Sequence, residues 1–498
     1  MRGIASSVRR RLVTPGSAAW LSLILPGLGQ LLAGRRLRAA LLALPAIGIA
    51  VGTATVALQA PTTLLELFAA REFAVGLVIL NLAVFGYHAF AIADAYQLVA
   101  VRRATPGRIA RTLSAGALLV AMVTATLGHA AVGVLGYRTA AAVTEVFAPS
   151  EIDGGIIPEP GFDDDDQAVL PSAPATPLPT PPQAPSLSPA SSSPSSSPAL
   201  TPDPTPRPRP GWARDGRLNL LLIGSDAGPD RWSLRTDTMI VLSVDVATGR
   251  AALFGIPRNL VGVPLAPESA GAVPNGRFPG LLNALYVYAT GHPRDFPGGQ
   301  TRGLRAVAGA VQELVHQRLD GMVVVNLRGF VRLVDAVGGL WIDVPERLVD
   351  RMYPLSNGAL TTLDIGPGCQ RMAGERALAY ARSRHQDSDY GRMRRQQLVL
   401  VALRRQLDPA TLLPRLPELL DIAGDSLWTT LKPSAIRGIA ELADRVKPRL
   451  VDGYVFSPPR YPSHLTDAAI ARIRFVVGRA LRIPSTETAE WGTGRCPR

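Results

Sequence analysis

The sequence is poor in the residues that usually build metal and nucleophile sites. It has two cysteines and six histidines in 498 residues, and neither set has the spacing of a zinc site. No Ser-His-Asp arrangement and no short phosphate-binding loop of nucleotide enzymes is recognisable, so neither a serine nucleophile nor an ATP-driven reaction is indicated. Aromatic residues make up only 6% of the chain and do not alternate with the arginines, which argues against a nucleic-acid partner.

Basic residues, by contrast, are in surplus. The chain has 52 Lys and Arg residues against 39 Asp and Glu residues, a formal net charge of +13 at pH 7. Such a surplus is compatible with nucleic acid, anionic lipid or an acidic polymer as a partner, although most scattered arginines are expected to face solvent. A chain of this length is too long for one ordinary domain, so at least two folded units are expected.

Residues 1–140 are largely apolar and predict a membrane region. Three runs are each long enough to cross a bilayer as a helix, at residues 39–58, 73–100 and 112–136. A weaker stretch, residues 18–34, is interrupted by Pro26, Gly27 and Gly29. We interpret it as an interfacial or re-entrant segment, with a fourth full crossing as the alternative.

The arginines near these runs predict the orientation of the chain. Basic residues flank the weak stretch and fill the loop at 102–111, whereas the loop at 59–72 carries only Arg71. Basic loops favour the cytoplasmic side. Three crossings then place residue 137 and everything after it outside the cell. The prediction is a multi-pass protein of the cell membrane whose C-terminal domain is extracytoplasmic.

Residues 141–212 are predicted to form a disordered stalk. An acidic run at 163–166 leads into alternating Pro, Ser, Ala and Thr. Such a composition buries too little apolar surface to offset the entropy of ordering. We expect the segment to lift the next domain off the membrane.

Residues 213–485 alternate predicted strands with predicted helices. The strands are expected near 218–226, 236–246, 250–259, 322–327 and 340–345. The helices are expected near 303–319, 329–339, 374–384 and 390–407. This order predicts an α/β fold, a layered α-β-α domain with a central mixed sheet, preceded by an α-helical transmembrane region. Residues 486–498 are left as a C-terminal tail.

A first polar cluster begins where the first predicted strand ends. It contains Asp226, Arg235, Asp237 and Arg258. Guanidinium groups bind phosphate through paired hydrogen bonds, and carboxylates hold a hard cation that can bridge two phosphates. Asp226 and Asp237 flank a loop between strands, so both could bind one Mg²⁺. The alternatives are a turn cap for Asp226, pairing of Asp237 with Arg235, and a salt bridge at the rim for Arg258.

A second cluster follows about 130 residues later in the chain. Its members are Arg382, Arg384, Asp387, Asp389, Arg392, Arg394, Arg395 and Gln396, of which Arg394 is expected to face solvent. Arg392 precedes Arg395 by three residues and Gln396 by four, so the three side chains are predicted to share one helical face and present a polar edge to a ligand. Two such clusters predict a pyrophosphate site. Behind a membrane anchor, the pyrophosphate is expected to be carried by a lipid.

The two cysteines, Cys369 and Cys496, both fall in the part placed outside the cell. That compartment permits a disulfide between them, and two unpaired structural cysteines are the alternative.

At these residues the sequence resembles the LytR-CpsA-Psr family of cell-wall enzymes. The matching stretches occur in the family's order over about 218–400: LLLIGSDA, RTDTMIVLSVD, FGIPRN, LLNALYVYATG, MVVVNLRGFVRLVDAVGGLWIDVP, GERALAYARSRH and DYGRMRRQQ. One departure is Asn259, where the family often has Asp after the Pro-Arg pair.

The resemblance implies a transferase that moves a glycopolymer from a polyprenyl-pyrophosphate carrier onto peptidoglycan through a phosphodiester bond. By resemblance, Asp226 and Asp237 would hold Mg²⁺, and Arg235 and Arg384 would support catalysis. The residues that would bind the pyrophosphate are Arg258, Arg382, Arg384, Arg392 and Gln396. Asp389 is the candidate for orienting or deprotonating the attacking hydroxyl, with Asp387 or a structural role for both as alternatives. The prenyl chain would lie between sheet and helices.

Two other functions remain open from the sequence. One is a pyrophosphatase that cleaves polyprenyl pyrophosphate without a sugar acceptor. The other is a non-catalytic, lipid-binding regulatory membrane protein.

Overall fold

The structure is a computed structural model of the full chain. It describes residues 14–59, 71–101, 107–147, 157–162, 213, 215–225, 236–355, 358–407, 415–482 and 496.

The N-terminal region consists, where it is described, of helices with short turns between them. Its helices are α1 (Pro15–Ile24), α2 (Leu28–Leu32), α3 (Arg36–Gln59), α4 (Arg71–Ala100) and α5 (Arg108–Phe147). The last three are long and apolar enough to cross a membrane. Helix α1 has 10 residues, which is about 15 Å and half the thickness of a bilayer core. The chain leaves it at Pro26 and turns through Gly27, whose φ of 101° favours glycine.

Helix α5 is longer than a membrane crossing requires. Its 40 residues extend about 60 Å, whereas a bilayer core is about 30 Å thick. The last turns pack against the C-terminal domain, with Ala142, Val143 and Val146 buried. Residues 141–147, which the sequence assigned to the stalk, belong to this helix. Most of the remaining predicted stalk lies outside the described residues.

A central sheet of six strands organises the C-terminal domain. Its strands are β1 (Arg217–Ser225), β2 (Thr236–Asp245), β3 (Ala251–Gly255), β6 (Gly321–Asn326), β11 (Leu427–Thr429) and β12 (Val451–Val455). Their order in the sheet is β11-β6-β1-β2-β3-β12. The pairs β1–β6 and β3–β12 are parallel and the other three are antiparallel, so the sheet is mixed, as predicted.

Helices cover both faces of this sheet because successive side chains along each strand point to opposite sides. On one face, Leu221 and Phe254 pack with α8 (Arg302–Val315) and α14 (Asp467–Arg482). On the other, Leu220 and Leu253 pack with α11 (Asp389–Gln406) and α13 (Ile436–Arg445). The layered α-β-α architecture predicted from the sequence is confirmed.

Smaller elements surround the sheet. Three two-stranded sheets pair β4 (Val261–Pro264) with β5 (Arg277–Leu281), β7 (Leu340–Val344) with β10 (Gly368–Met372), and β8 (Leu348–Pro354) with β9 (Leu360–Ile365). The remaining helices are α6 (Pro267–Ala270), α7 (Leu285–Gly291), α9 (Leu327–Ala336), α10 (Gly374–Arg382) and α12 (Leu416–Ser426). Cys369 on β10 forms a disulfide with Cys496, which resolves the alternative left open by the sequence.

Residues 157–162, here called the clasp, lie against α8. Gln312 donates a hydrogen bond to the Pro158 carbonyl at 3.1 Å, and the Gly161 amide donates to Glu313 at 2.6 Å. The ring of Phe162 lies 4.0 Å from that of His316. The chain thus contacts the C-terminal domain twice, through α5 and through the clasp, before β1 begins.

Candidate active site

A polar cavity of about 460 Å³ opens at the edge where β1 and β3 end and β2 begins. Its charged lining residues are Asp237, Arg258, Asp350, Arg382, Arg384, Asp389 and Arg392, and His385 lines it as well. The two sequence clusters, far apart in the chain, therefore meet in one cavity. Asp226 and Arg235 lie outside the described residues, and the roles predicted for them stay predictions.

Arg258 connects the two clusters. It follows β3 and Pro257, so its position is fixed by the central sheet. Its Nη1 donates to Asp237 Oδ1 at 2.8 Å, and its Nε donates to Asp389 Oδ2 at 3.0 Å. Asn283 adds a second hydrogen bond to Asp237 Oδ1 at 3.2 Å. One guanidinium thus holds a carboxylate from each cluster.

The charges of this bridge stabilise one another. Burial would raise the pKa of Asp237, but the hydrogen bond and charge of Arg258 outweigh it and leave the pKa below its ordinary value. Burial would lower the pKa of Arg258, yet the hydrogen bonds to Asp237 and Asp389 raise it. Asp237 is therefore ionised and Arg258 charged at neutral pH.

The first turns of α11 supply Asp389, Arg392 and Gln396. Ser388 caps the helix by accepting hydrogen bonds from the Tyr390 and Gly391 amides at 3.2 and 3.3 Å. Arg392 is only 6% exposed, and its Nη2 donates to the Asp237 carbonyl at 3.3 Å. Gln396, one turn further on, donates to Thr238 Oγ1 at 2.8 Å.

Arg392 has spare hydrogen-bonding capacity. Its Nε is buried and has no partner within the described part of the chain. Burial lowers its pKa, although an arginine remains charged at neutral pH. A buried, charged donor without a partner is suited to an anionic ligand.

Arg382 and Arg384 contribute from the end of α10 and the loop after it. Both are exposed and line the cavity. Arg382 interacts with Tyr353. Burial raises the pKa of Tyr353, and the charge and hydrogen bond of Arg382 only partly offset this rise. Neither arginine forms an ion pair with a carboxylate in the described ranges, so both remain open to a ligand.

The predicted position of Arg395 is wrong. Its guanidinium is buried away from the cavity, where it donates to the Tyr380 carbonyl at 3.0 Å and to Asp387 Oδ2 at 2.6 Å. Adjacent helix positions differ by about 100° around the axis, so Arg395 and Gln396 cannot point to the same place. Asp387 is engaged by Arg395 and does not line the cavity.

The site contains a group of residues that the sequence did not predict. Asp350 on β8, Ser383 and His385 line the cavity, and both Ser383 and His385 hydrogen-bond to Asp350. Asp350 comes from a two-stranded sheet with no recognisable motif. The sequence signal for His385 is its position directly after Arg384, inside a cluster recognisable by its arginines and carboxylates.

Asp237 is the described residue for which the sequence predicts a role as a ligand of a divalent cation. This carboxylate is ionised and lines the cavity, but it lies among guanidinium groups whose positive charge opposes a cation. Of the residues described, no three of His, Cys, Asp and Glu form a group that could hold a metal by themselves. A cation at Asp237 would therefore need further oxygen ligands, such as those of a bound phosphate.

A second, apolar cavity of about 190 Å³ lies between the sheet and the helices α11 and α13. Its lining includes Leu218, Leu220, Leu222, Leu242 and Leu400. Apart from Arg404, every residue that lines it is apolar. It is thus suited to a hydrocarbon rather than to a polar ligand.

The two cavities lie in line on one face of the sheet. Along β1, Gly224 lines the polar cavity and Leu222 the apolar one, and these residues share a face because they are two apart. Along α11, Gln396 lines the polar cavity and Leu400, one turn later, the apolar one. A ligand with a charged head and an apolar tail matches this arrangement.

The chain is similar in sequence to several known proteins. A sequence model of the LytR_cpsA_psr family matches residues 190–452. Biofilm regulatory protein A of Streptococcus mutans is 25% identical over 229 residues, covering 44% of this chain and 50% of that protein. A polyisoprenyl-teichoic acid–peptidoglycan teichoic acid transferase, TagU of Halalkalibacterium halodurans, is 27% identical over 216 residues, covering 43% of this chain and 61% of that protein.

The chain thus spans about half to three fifths of the length of these two relatives. Among solved structures, TagV of B. subtilis is 21% identical, with a TM-score of 0.40, and the match covers 53% of this chain and 97% of that one.

Proposed function

The chain belongs to the LytR_cpsA_psr family, and we propose that it transfers a glycopolymer from a polyprenyl-pyrophosphate carrier onto peptidoglycan through a phosphodiester bond. The observation that carries the proposal is the alignment of the arginine-lined cavity with the apolar cavity on one sheet face. The printed name of the TagU relative, a teichoic acid–peptidoglycan transferase, supports the same reaction class.

The donor lipid would place its pyrophosphate in the polar cavity. Arg382 and Arg384 are exposed there, and Arg392 has an unpartnered Nε. Guanidinium groups recognise phosphate oxygens through charge-assisted, often paired hydrogen bonds. The prenyl chain would enter the apolar cavity beside Leu222 and Leu400, where each buried CH₂ contributes about 0.8 kcal/mol.

Magnesium would be held by Asp237 together with Asp226. When bound, it supplies positive charge that neutralises the pyrophosphate and the departing phosphate. Arg258 keeps Asp237 ionised and oriented for this purpose. The second contact of Arg258, to Asp389, holds the N-terminus of α11 against the end of β3.

The reaction requires alignment more than covalent catalysis. A sugar hydroxyl attacks the phosphorus that bears the glycan, and polyprenyl phosphate leaves. Charge accumulates on the phosphoryl oxygens and on the leaving oxygen, and Arg382, Arg384 and Arg392 are positioned to stabilise it. With both oxygens near Arg258, Asp389 is better suited to orienting that arginine than to accepting a proton.

The membrane region would keep the site near its lipid substrate. Three helices long enough to cross a bilayer precede the domain. We propose that all three cross, with the basic loops inside the cell and the domain outside it, because the donor lipid and the peptidoglycan acceptor meet there.

The proposal is tested with the purified full chain in detergent micelles. The substrates are a polyprenyl-pyrophosphate-linked oligosaccharide and peptidoglycan fragments, with Mg²⁺ or EDTA, and mass spectrometry detects a phosphodiester-joined conjugate. Arg258→Ala and Asp237→Ala are compared with Arg437→Ala, which removes an exposed arginine paired with Glu441 on α13. We expect a Mg²⁺-dependent conjugate from the wild type and the control, and none from the two site variants.

Other outcomes would identify the competing functions. Polyprenyl phosphate released into water without any conjugate would indicate a pyrophosphatase. Lipid binding without turnover by the wild type would instead indicate a regulatory protein, as the name of the Streptococcus mutans relative suggests for that protein.

A further inference from the structure

Asp350 and His385 form a buried carboxylate–imidazole pair at the cavity wall. Nδ1 of His385 lies 2.9 Å from Asp350 Oδ1 and 3.1 Å from Oδ2. Asp350 is only 1% exposed and also accepts hydrogen bonds from Ser383 Oγ at 2.8 Å and from the Met352 amide at 3.1 Å. Burial would raise the pKa of Asp350, but these hydrogen bonds keep it below the ordinary value, so the carboxylate is ionised.

This pairing determines which ring nitrogen is available. With Nδ1 protonated and donating to Asp350, the lone pair of the neutral ring is on Nε2. No group in the described part of the chain hydrogen-bonds to Nε2, and the His385 side chain is 34% exposed. The backbone around it is fixed, because the Gln386 side chain donates to the Arg347 carbonyl at 2.8 Å and accepts from the Val349 amide.

His385 also lies between two surface depressions. It lines the polar cavity with the arginines, and it lines a separate groove of about 530 Å³ along β8. The other residues of the groove are Arg347, Val349, Arg351, Met352 and Gln386. The groove is more open than the polar cavity, so it is the side from which an extended polymer such as a glycan strand can approach the phosphate.

The carboxylates of the cavity are less suited to accept a proton. Asp389 is held by Arg258 through both oxygens, at 3.0 and 3.4 Å. Asp237 is held by Arg258 and Asn283. Among the described residues that line the cavity, only His385 combines an orienting carboxylate behind the ring with an open nitrogen in front of it.

We propose that His385 is the proton acceptor for the incoming hydroxyl and that Asp350 is its positioning residue; this deepens, and rests on, the proposed transfer. The hydroxyl oxygen forms a bond to the glycan-bearing phosphorus, and its proton passes to Nε2 of His385. The bond from that phosphorus to the bridging oxygen breaks, and the bridging oxygen keeps the electron pair and leaves within polyprenyl phosphate. The imidazolium, stabilised by Asp350, then releases its proton to water.

The test measures transfer and donor binding separately, using the full chain in micelles. His385→Gln keeps a polar side chain but removes the base, and His292→Gln is the matched control because His292 is exposed and its ring contacts the Tyr288 carbonyl outside the cavity. We expect kcat to fall about 100-fold or more in His385→Gln, the usual contribution of a general base. The Kd for the donor lipid should stay within about twofold, and the control should match the wild type.

Two further variants distinguish catalysis from structure. Imidazole added to His385→Ala should restore part of the transfer rate, whereas it should not restore Arg384→Ala. Asp350→Asn should lower kcat without changing the Kd for the donor lipid, because the ring remains present but loses its orientation.

The outcomes separate this inference from the proposed function. Transfer by His385→Gln at a rate within about threefold of an active wild type would overturn the role of His385 and leave the transferase intact. A wild type that makes no conjugate would overturn the proposed function and this inference with it.

Discussion

At the residue scale, Arg258 shows how one side chain can hold a site together. Its planar group reaches Asp237 with one edge and Asp389 with another. A lysine has one nitrogen on a flexible stem and cannot make both contacts in fixed geometry. Replacement by lysine would keep the positive charge but would leave one of the two carboxylates without its hydrogen-bonded partner.

We therefore expect Arg258→Lys to lower the transfer rate about 100-fold, since the bridge between the clusters is lost. The measurement is conjugate formation at saturating donor lipid. Arg437→Lys, a conservative change in an exposed pair with Glu441, is the control. Activity in Arg258→Lys equal to that of the control would mean that positive charge alone suffices.

Asp350 gives a prediction about pH. Its folded-state pKa lies below the ordinary value of 3.8. The stabilisation that this difference represents is fully present above the unfolded pKa and is lost as the pH falls through the folded pKa. Asp350→Asn should therefore reduce the free energy of unfolding by about 1–3 kcal/mol at pH 7, and by progressively less below pH 4.

The measurement is denaturant unfolding of both proteins in micelles, followed by tryptophan fluorescence. A difference between them that stays constant from pH 7 to pH 3 would show that ionisation of Asp350 is not the source of the stabilisation.

The sequence singled out some of the residues that line the polar cavity and missed others for a physical reason. Arg258, Arg392 and Gln396 were found because arginines beside strand ends and at four-residue helical spacing form recognisable patterns. The contact between Asp350 and His385 joins residues 35 positions apart. It depends on how the β8–β9 pair folds over the loop after α10, which no local pattern encodes.

At the element scale, helix α11 lines both cavities, the polar one near its start and the apolar one further along. Arg392 and Gln396 face the polar cavity, and Leu400 faces the apolar one. The sequence predicted this helix and the core strands, because their apolar periodicity is strong. It did not predict the short strands β11 and β12, whose positions depend on pairing with β6 and β3.

Filling the apolar cavity should weaken binding of the prenyl chain of the donor without affecting binding of its pyrophosphate. Leu400→Trp adds a large ring to a space of about 190 Å³, so we expect the Kd for a long-chain polyprenyl donor to rise about tenfold or more. Inhibition by free pyrophosphate should not change. The control is Leu398→Trp, on the same helix but outside the cavity lining. Equal affinity of both variants for the donor would show that the tail binds elsewhere.

At the scale of the whole molecule, the junction between membrane region and domain departs most from the prediction. An apolar helix gives no sequence signal that distinguishes a side facing lipid from a side facing protein. The docking of α5 on α12 was therefore not predicted. It includes an ion pair between Arg138 and Asp421 at 3.2 Å and close approach of Gly424 to Ala142.

This docking can be tested by a disulfide. A Cβ built on Gly424 would lie 3.5 Å from the Ala142 Cβ, within the usual range for a disulfide. The pair Ala142→Cys and Gly424→Cys should therefore cross-link under mild oxidation, since the native cysteines are already paired. The control pairs Gly424→Cys with Ala141→Cys, whose side chain is exposed on another side of the helix.

Mass spectrometry after proteolysis would identify the cross-linked peptides. Equal yields from the two pairs would show that the domain moves freely relative to α5, as a stalk alone would allow.

If α5 crosses the bilayer as proposed, its continuity with the domain makes distance from the membrane a determinant of activity. The domain is contacted by α5 and by the clasp, so the opening beside His385 would stay at a fixed height above the membrane. Under the proposed function, acceptor strands would be modified only at that height. The position of a strand, and not only its chemistry, would then decide whether it is modified.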